Sequence, residues 1–234
     1  MAKDTYIVIC EGASECNYLR HLNQFLKSLP FPDGWFRPLN FIDRPKSINP
    51  LTLKNEGVGS GRFSKVQKAY KTEFRSNKFY PFLLWVDDDL YVRNDEGCSD
   101  SYNAKACGIP DFAFSVHNFE DFLALHLDDD GFEVWKTEFA SASHFSTPLH
   151  SEEYLLHFEK VMPGYKKNEL PDGFVCETSL KNMMRHLSQL PPMGKGELQH
   201  MRVFACELSQ ILQSTYGGIF RSPRVDVDFD MEVG

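Results

Sequence analysis

Two short apolar runs, each followed at once by acidic residues, constrain the fold of this chain most strongly. The first run is 5–10 (TYIVIC), which leads into Glu11, and the second is 81–86 (PFLLWV), which leads into the aspartates 87–89. Short runs without alternating polar residues are typical of strands buried on both faces of a parallel sheet. Such strands need helices on both sides, so the two runs predict an α/β fold.

The segments around these runs alternate between helix and strand patterns. The predicted elements are a helix over 18–29, a strand over 37–43, an amphipathic helix over 62–78, a strand over 111–116 and a helix from Asn118 onward. A turn-rich stretch at 44–61 is predicted to be a loop. This order predicts a Rossmann-like, mainly parallel sheet flanked by helices.

The pattern changes after residue 130. Residues 178–190 and 197–214 have helical spacing, and no strand pattern lies between them. We therefore expect an α/β core over 1–130 and a mostly helical C-terminal region over 131–234 that packs on this core.

Charge and cysteine usage narrow the class of protein. The formal net charge is −8, which counts against strong duplex binding by the chain alone, because such affinity comes from neutralising phosphates. It does not exclude a nuclease, since bound metal ions restore positive charge locally. No Cys-x-x-Cys pair occurs and no signal peptide opens the chain. No apolar run approaches the ~20 residues of a membrane span, so we expect a cytoplasmic protein with free thiols.

The acidic residues that follow the strands form the candidate chemical site. Ligands of an open parallel sheet bind outside the carboxyl ends of its strands, where Glu11, Asp87, Asp89 and Glu120 would meet. Asp87 and Asp89 lie two residues apart and point the same way near a strand end, so they can share an ion. Clustered carboxylates repel one another and need cations. Mg²⁺, or Mn²⁺, suits them because it binds carboxylate oxygens and keeps several waters.

Each of these residues also has a purely structural interpretation. Glu11 fits a solvated turn, and the aspartates 87–89 fit a loop or a negative patch. Glu120 would lie in the first turn of a helix, where the helix dipole favours any carboxylate. The spacing of Asn118 and Asp121 fits a helix cap. These alternatives stay open at the level of the sequence.

Several segments resemble a known family. The segments 7–12 (IVICEG), 84–89 (LWVDDD) and 115–120 (SVHNFE) are similar to Toprim domains, and in particular to the RloB-like family. A Tyr-Lys element at 165–167 (YKK) resembles one found in the same family. The resemblance implies a Toprim-like fold, Mg²⁺-dependent phosphodiester chemistry and an association with anti-phage defence.

The resemblance also implies roles for individual residues. The expected catalytic residues are Glu11, Asp87 and Asp89, with Glu11 as the acid–base group. The expected metal ligands are the same three residues together with Glu120 and Glu15. The expected activity is that of an Mg²⁺-dependent endonuclease acting on DNA or RNA. The alternative is a non-catalytic metal-binding or regulatory subunit of a defence ATPase complex.

A basic helix face is the candidate nucleic-acid contact. The predicted helix over 62–78 carries Lys65, Lys68, Lys71 and Arg75 on one side, although an ordinary solvated face has the same pattern. The number of positive charges on this face is small, and no nucleotide-binding motif is visible in the chain. Together with the resemblance, these features imply an ABC- or AAA-type ATPase partner. Assembly into a homo-oligomer stays open.

Overall fold

The structure is a computed structural model that describes residues 4–44, 63–87, 112–115, 118–142, 151–189 and 203–220. Asp88, Asp89 and residues 45–61 of the loop predicted over 44–61 lie outside the described residues, while Arg44 is the last residue of the second strand. The described strands and helices, in chain order, are β1 (Thr5–Cys10), α1 (Ala13–Ser28), β2 (Asn40–Arg44), α2 (Phe63–Asn77), β3 (Phe82–Asp87), β4 (Phe112–Ser115), α3 (Phe119–Ala124), α4 (Asp129–Ala142), α5 (Ser151–Val161), α6 (Glu177–His186), α7 (Phe204–Thr215) and α8 (Gly217–Phe220).

The strands of the described segments form a parallel sheet with the order β2-β1-β3-β4. The chain passes from β1 to β2 on one side and then crosses to β3 on the other side of β1. The direction of winding therefore reverses between β1 and β3, where Cys10 pairs with Trp85. The prediction of an α/β fold with a parallel sheet and flanking helices is confirmed.

Helices cover both faces of this sheet. On one face, the Tyr18 ring of α1 meets the Trp85 ring edge-on at a centroid distance of 5.6 Å. On the other face, the Phe74 ring of α2 lies 5.5 Å from the Phe82 ring. Phe82 and Trp85 are three residues apart in β3, so their side chains point to opposite faces. This two-sided burial explains why the strand sequences show no polar alternation.

The C-terminal helices extend the core on the Trp85 face. The ring of Phe204, in α7, stacks on Trp85 with centroids 3.7 Å apart and planes 7° apart. The indole Nε1 of Trp85 also donates a hydrogen bond of 2.9 Å to Ser115 Oγ at the end of β4. Both rings are fully buried, so α7 and the sheet exclude water from a shared set of side chains.

The sequence pattern does not predict α4 or α5. Among the α4 side chains that the structure describes, only Phe132 and Trp135 are buried, and two apolar positions are too few to mark a helical period. Helix α4 begins at Asp129 and runs through the predicted domain boundary at residue 130. The division into two regions stays a prediction. In the described part of the chain, no helix is both long and apolar enough to span a membrane.

A buried hydrogen bond joins Tyr18 of α1 to His126, which follows α3. The Tyr18 hydroxyl lies 2.8 Å from His126 Nε2, and His126 Nδ1 lies 3.1 Å from the carbonyl oxygen of Phe122. Because a carbonyl only accepts, Nδ1 carries the proton and Nε2 accepts from the tyrosine. Burial lowers the pKa of His126 to about 3, so the ring is neutral over the physiological range.

We expect Tyr18→Phe to lower the free energy of unfolding by about 1–3 kcal/mol, because a buried Nε2 loses its donor. Urea denaturation measures this change. Tyr80→Phe is the matched control, since the Tyr80 side chain is exposed, and it should change stability by less than about 0.5 kcal/mol. Equal stability of the parent and Tyr18→Phe would contradict this description of the pair.

Candidate functional site

Glu11 and Asp87 meet at the point where the winding of the sheet reverses. Glu11 directly follows β1, and its N–H donates to the carbonyl oxygen of Trp85 at 3.1 Å. Asp87 is the last residue of β3, and its N–H donates to Glu11 Oε2 at 3.1 Å. The Glu11 carboxylate is thereby bound to the end of the neighbouring strand. Such switch points are where open α/β sheets bind ligands.

Glu15 lies in the first turn of α1. Its Oε2 accepts a hydrogen bond of 3.0 Å from the N–H of Gly12, the residue that caps α1. A Cβ at position 12 would lie only 3.1 Å from that oxygen, so glycine allows the close approach. The contact is the carboxylate half of a capping box, and it gives Glu15 a structural role beside its predicted role as a ligand.

The Glu15 carboxyl group is almost completely buried, with 4% of its surface exposed. Burial raises its pKa to about 7, and the nearby negative charge of Glu120 raises it as well. The N–H groups at the start of α1 and the charge of Lys167 lower it and offset part of this shift. Glu15 therefore carries a proton for much of the time near neutral pH unless a further cation approaches it.

Glu120 is held at the start of α3. The side chain of Asn118 caps this helix by accepting a hydrogen bond of 3.0 Å from the N–H of Asp121, as the sequence spacing predicts. Glu120 is 6% exposed, and the hydroxyl of Tyr165 donates to its Oε1 at 3.4 Å. The first turn of α3 therefore presents a buried carboxylate to the carboxyl edge of the sheet.

Tyr165 links the carboxylates of the different elements. Burial raises its pKa above the ordinary range, and the negative charges of Glu120, Glu15 and Asp87 raise it further. These three carboxylates come from α3, α1 and β3, so the phenol lies within the electrostatic reach of all of them. Because its pKa is raised, the Tyr165 hydroxyl stays protonated and can donate a hydrogen bond at any physiological pH.

A tight loop brings Tyr165 and Lys167 to the site. Gly164 and Asn168 both have positive φ, at 79° and 69°, a conformation that glycine and asparagine adopt most readily. The loop docks on the start of α1, where Ser14 Oγ donates to Asn168 Oδ1 at 2.6 Å and Asn17 Nδ2 donates to the Asn168 carbonyl oxygen at 3.0 Å. These contacts join segments 151–154 residues apart in the chain. In the sequence, only the family resemblance marks this loop.

The described acidic residues have the right chemistry for a hard cation but do not form a complete cage. Carboxylate oxygens are the ligands that Mg²⁺ prefers. Within residues 4–44, 63–87 and the later described segments, however, no group of three or more His, Cys, Asp or Glu side chains could hold a metal ion. Asp89, the second member of the predicted Asp-x-Asp pair, lies outside the described residues. A metal site at this edge would need Asp89 or water molecules to complete it.

The predicted basic face lies on α2, away from the sheet core. Lys68, Lys71 and Arg75 are exposed there. Lys65 belongs to the first turns of α2, where the structure describes the backbone but not the side chains. The structure therefore places three of the four predicted nucleic-acid contacts on one exposed helix.

The fold and this edge define an α/β protein with buried acidic groups at the switch point of a parallel sheet. No family model, no curated protein and no solved structure matches the chain.

Proposed function

We propose that this protein is an Mg²⁺-dependent nuclease that hydrolyses phosphodiesters in DNA or RNA, with a Toprim-like catalytic core of the RloB type. The observation that carries the proposal is the hydrogen bond from the Asp87 N–H to the Glu11 carboxylate. It joins two acidic residues from different strands at the edge where such sheets bind ligands. Glu15 and Glu120 add buried carboxylates close by.

Each residue has a role in this proposal. Asp87 and Asp89, with Glu120 and Glu15, would hold Mg²⁺ or Mn²⁺. When bound, the ion supplies Lewis-acid activation of the phosphate and of the attacking water. Glu11 transfers a proton to or from the reacting water or the leaving oxygen.

The loop that carries Tyr165 and Lys167, docked on the start of α1, would contact the substrate through Lys167. Lys167 supplies positive charge to a cluster of carboxylates, and Tyr165 supplies a hydroxyl that stays protonated. Lys167 suits the non-bridging oxygens of a phosphate, which accept charge-assisted hydrogen bonds, whereas the single proton of the Tyr165 hydroxyl is donated to Glu120.

A second candidate is a non-catalytic metal-binding or regulatory subunit of a defence ATPase complex that uses the same edge. The observation that favours it is the structural role of Glu15, whose carboxylate accepts the Gly12 N–H at the start of α1. Participation in anti-phage defence, and delivery of the substrate by an ABC- or AAA-type ATPase, are further parts of the proposal. They rest on the family resemblance and on the net charge of −8.

Metal titration and cleavage assays separate these candidates. The purified chain should bind Mn²⁺ in calorimetry, and it should cleave labelled DNA or RNA with Mg²⁺ but not with EDTA. Asp87→Asn should bind Mn²⁺ at least about tenfold more weakly, whereas Asp172→Asn, an exposed loop carboxylate, should bind like the parent. Metal binding without cleavage favours the non-catalytic subunit, and cleavage that persists in EDTA overturns the proposal.

We expect Lys167→Gln to raise the KM for a cleaved oligonucleotide about tenfold and to change kcat much less. Loss of a charge-assisted contact to phosphate accounts for an effect of this size. Lys166→Gln is the matched control, because Lys166 is the exposed neighbour and does not contribute to the shift of the Glu15 pKa. Steady-state kinetics at fixed ionic strength measure both variants. Equal KM values for them would remove Lys167 from the site.

A further inference from the structure

The second half of α2 and the turn after it expose aromatic rings among positive charges. The residues concerned, called the α2 surface below, are Lys71, Phe74, Arg75, Lys78, Phe79 and Tyr80. The side chains of Phe74, Phe79 and Tyr80 are 44%, 72% and 39% exposed. Within the helix, Lys71 and Arg75 are four residues apart and share one face, and Phe74 lies beside them on the side that contacts Phe82.

Packing against the sheet accounts for Phe74 but not for the exposed rings of Phe79 and Tyr80. Phe82 already fills the space beneath α2, where it is 5% exposed and contacts the rings of Tyr70 and Phe74. Phe79 follows the end of the helix, and Lys78 Nζ lies 5.4 Å from the centre of its ring. A large aromatic ring that is mostly exposed and has a cation beside it is suited to a ligand that combines a flat ring with negative charge.

The charge of the α2 surface is opposite to that of the chain. Residues 68–80 contain the cations Lys68, Lys71, Arg75 and Lys78 and a single acidic residue, Glu73. The Glu73 carboxylate is already paired with Arg44 Nε at 3.4 Å. A protein with a net charge of −8 therefore presents a locally positive helix, which complements an anionic ligand.

We infer that the α2 surface binds single-stranded nucleic acid. Proteins that bind single strands combine cations that follow the phosphates with aromatic side chains on which the bases stack. The α2 surface offers both kinds of side chain within ten residues. In a duplex the bases are already stacked on one another, so rings on a convex helix have no free base face to contact. This inference deepens the proposed function, on which it rests for its phosphodiester substrate, by assigning the single-stranded class.

Topology relates this surface to the acidic edge. Helix α2 connects the carboxyl end of β2 to the amino end of β3, so the chain runs along it away from the edge that carries Glu11 and Asp87. An ion pair joins Glu73, in the second half of α2, to Arg44 at the carboxyl end of β2. A strand bound along α2 can therefore extend toward the carboxylates.

Binding in EDTA tests the inference without cleavage. Fluorescence anisotropy is measured with labelled oligothymidine and with the same strand annealed to its complement. The parent should bind the single strand at least about tenfold more tightly than the duplex. The double variant Phe79→Leu with Tyr80→Leu keeps apolar bulk but removes the rings, and it should bind the single strand about tenfold more weakly. Phe36→Leu, an exposed aromatic residue outside the surface, should bind like the parent.

Charge variants and the salt dependence give a second readout. Replacing Lys71, Arg75 and Lys78 by Gln should reduce the slope of log affinity against log salt by about two, because each phosphate contact on a single strand contributes about 0.7. Equal affinity for single strand and duplex, or parent-like binding by the Leu double variant, overturns the inference. Single-strand binding in EDTA without cleavage in Mg²⁺ contradicts the proposed nuclease and leaves the α2 surface intact. Cleavage in Mg²⁺ without single-strand binding in EDTA supports the proposed nuclease and overturns the inference about the α2 surface.

Discussion

Replacing Glu11 by glutamine should lower Mg²⁺-dependent cleavage by about 10²–10⁴, the contribution of a positioned acid–base group. Glutamine has the same shape, and its carbonyl oxygen can still accept the hydrogen bond from the Asp87 N–H that Glu11 Oε2 accepts at 3.1 Å. The variant therefore removes the negative charge and the proton-transfer capacity but keeps the contact between β1 and β3. The measurement is the single-turnover cleavage rate at saturating Mg²⁺.

The control for this prediction is Glu159→Gln, because Glu159 is an exposed carboxylate on α5. Its cleavage rate should match that of the parent. Thermal unfolding should give similar Tm values for all three proteins, which separates a catalytic effect from loss of structure. A rate for Glu11→Gln within about threefold of the parent would show that this residue is only part of the turn.

Replacing Glu15 by glutamine should stabilise the metal-free protein at high pH and leave it unchanged at low pH. Its folded-state pKa of about 7 lies above the ordinary value of 4.5, so between these values the folded state holds more protons than the unfolded chain. The free energy of unfolding of the parent therefore falls as the pH rises through this window. At about 1.4 kcal/mol per pKa unit, the total approaches about 3 kcal/mol. The variant, which stays neutral, avoids this cost.

Chemical denaturation in EDTA at pH 4 and at pH 8 measures this effect. We expect Glu15→Gln to be about 2–3 kcal/mol more stable than the parent at pH 8 and nearly equal to it at pH 4. His126 has the opposite dependence, because burial lowers its pKa to about 3 and the protein loses stability as the pH falls below about 6.5. His126 is present in both the parent and Glu15→Gln. The difference in their free energies of unfolding therefore reports the effect of Glu15 alone. A difference that is the same at both pH values would contradict the prediction.

Local patterns in the sequence predict much of the fold. The strand predicted over 5–10 coincides with β1, and the helix predicted over 62–78 coincides with α2 to within one residue at each end. In both elements the apolar residues recur at a spacing typical of the element. The sequence of the segment is therefore enough to predict it without knowledge of the rest of the chain. Helix α4 escapes prediction because its burial depends on two aromatic side chains and on neighbours that are distant in sequence.

The candidate site likewise has parts that local sequence patterns predict and parts that they do not. Glu11 and Asp87 could be predicted to meet, because parallel strands end at a common edge and each residue directly follows an apolar run. Asp89 and Lys65 stay predictions, since the structure describes neither side chain. The roles assigned to Glu11, Asp87 and Glu120 likewise stay predictions until metal binding and cleavage are measured.

The sequence alone determined which residues follow each strand and which helix face is basic, because both are set by chain order and by the periods of strand and helix. Only the tertiary structure decided that Tyr165 and Lys167 reach the carboxylates, since the loop docks on α1 through contacts that span about 150 residues. It also decided that the Glu15 carboxylate accepts the Gly12 N–H at the start of α1 and that the pKa of Glu15 is raised. The physical reason is that desolvation and charge coupling depend on what surrounds a group in space, and chain order does not specify that environment.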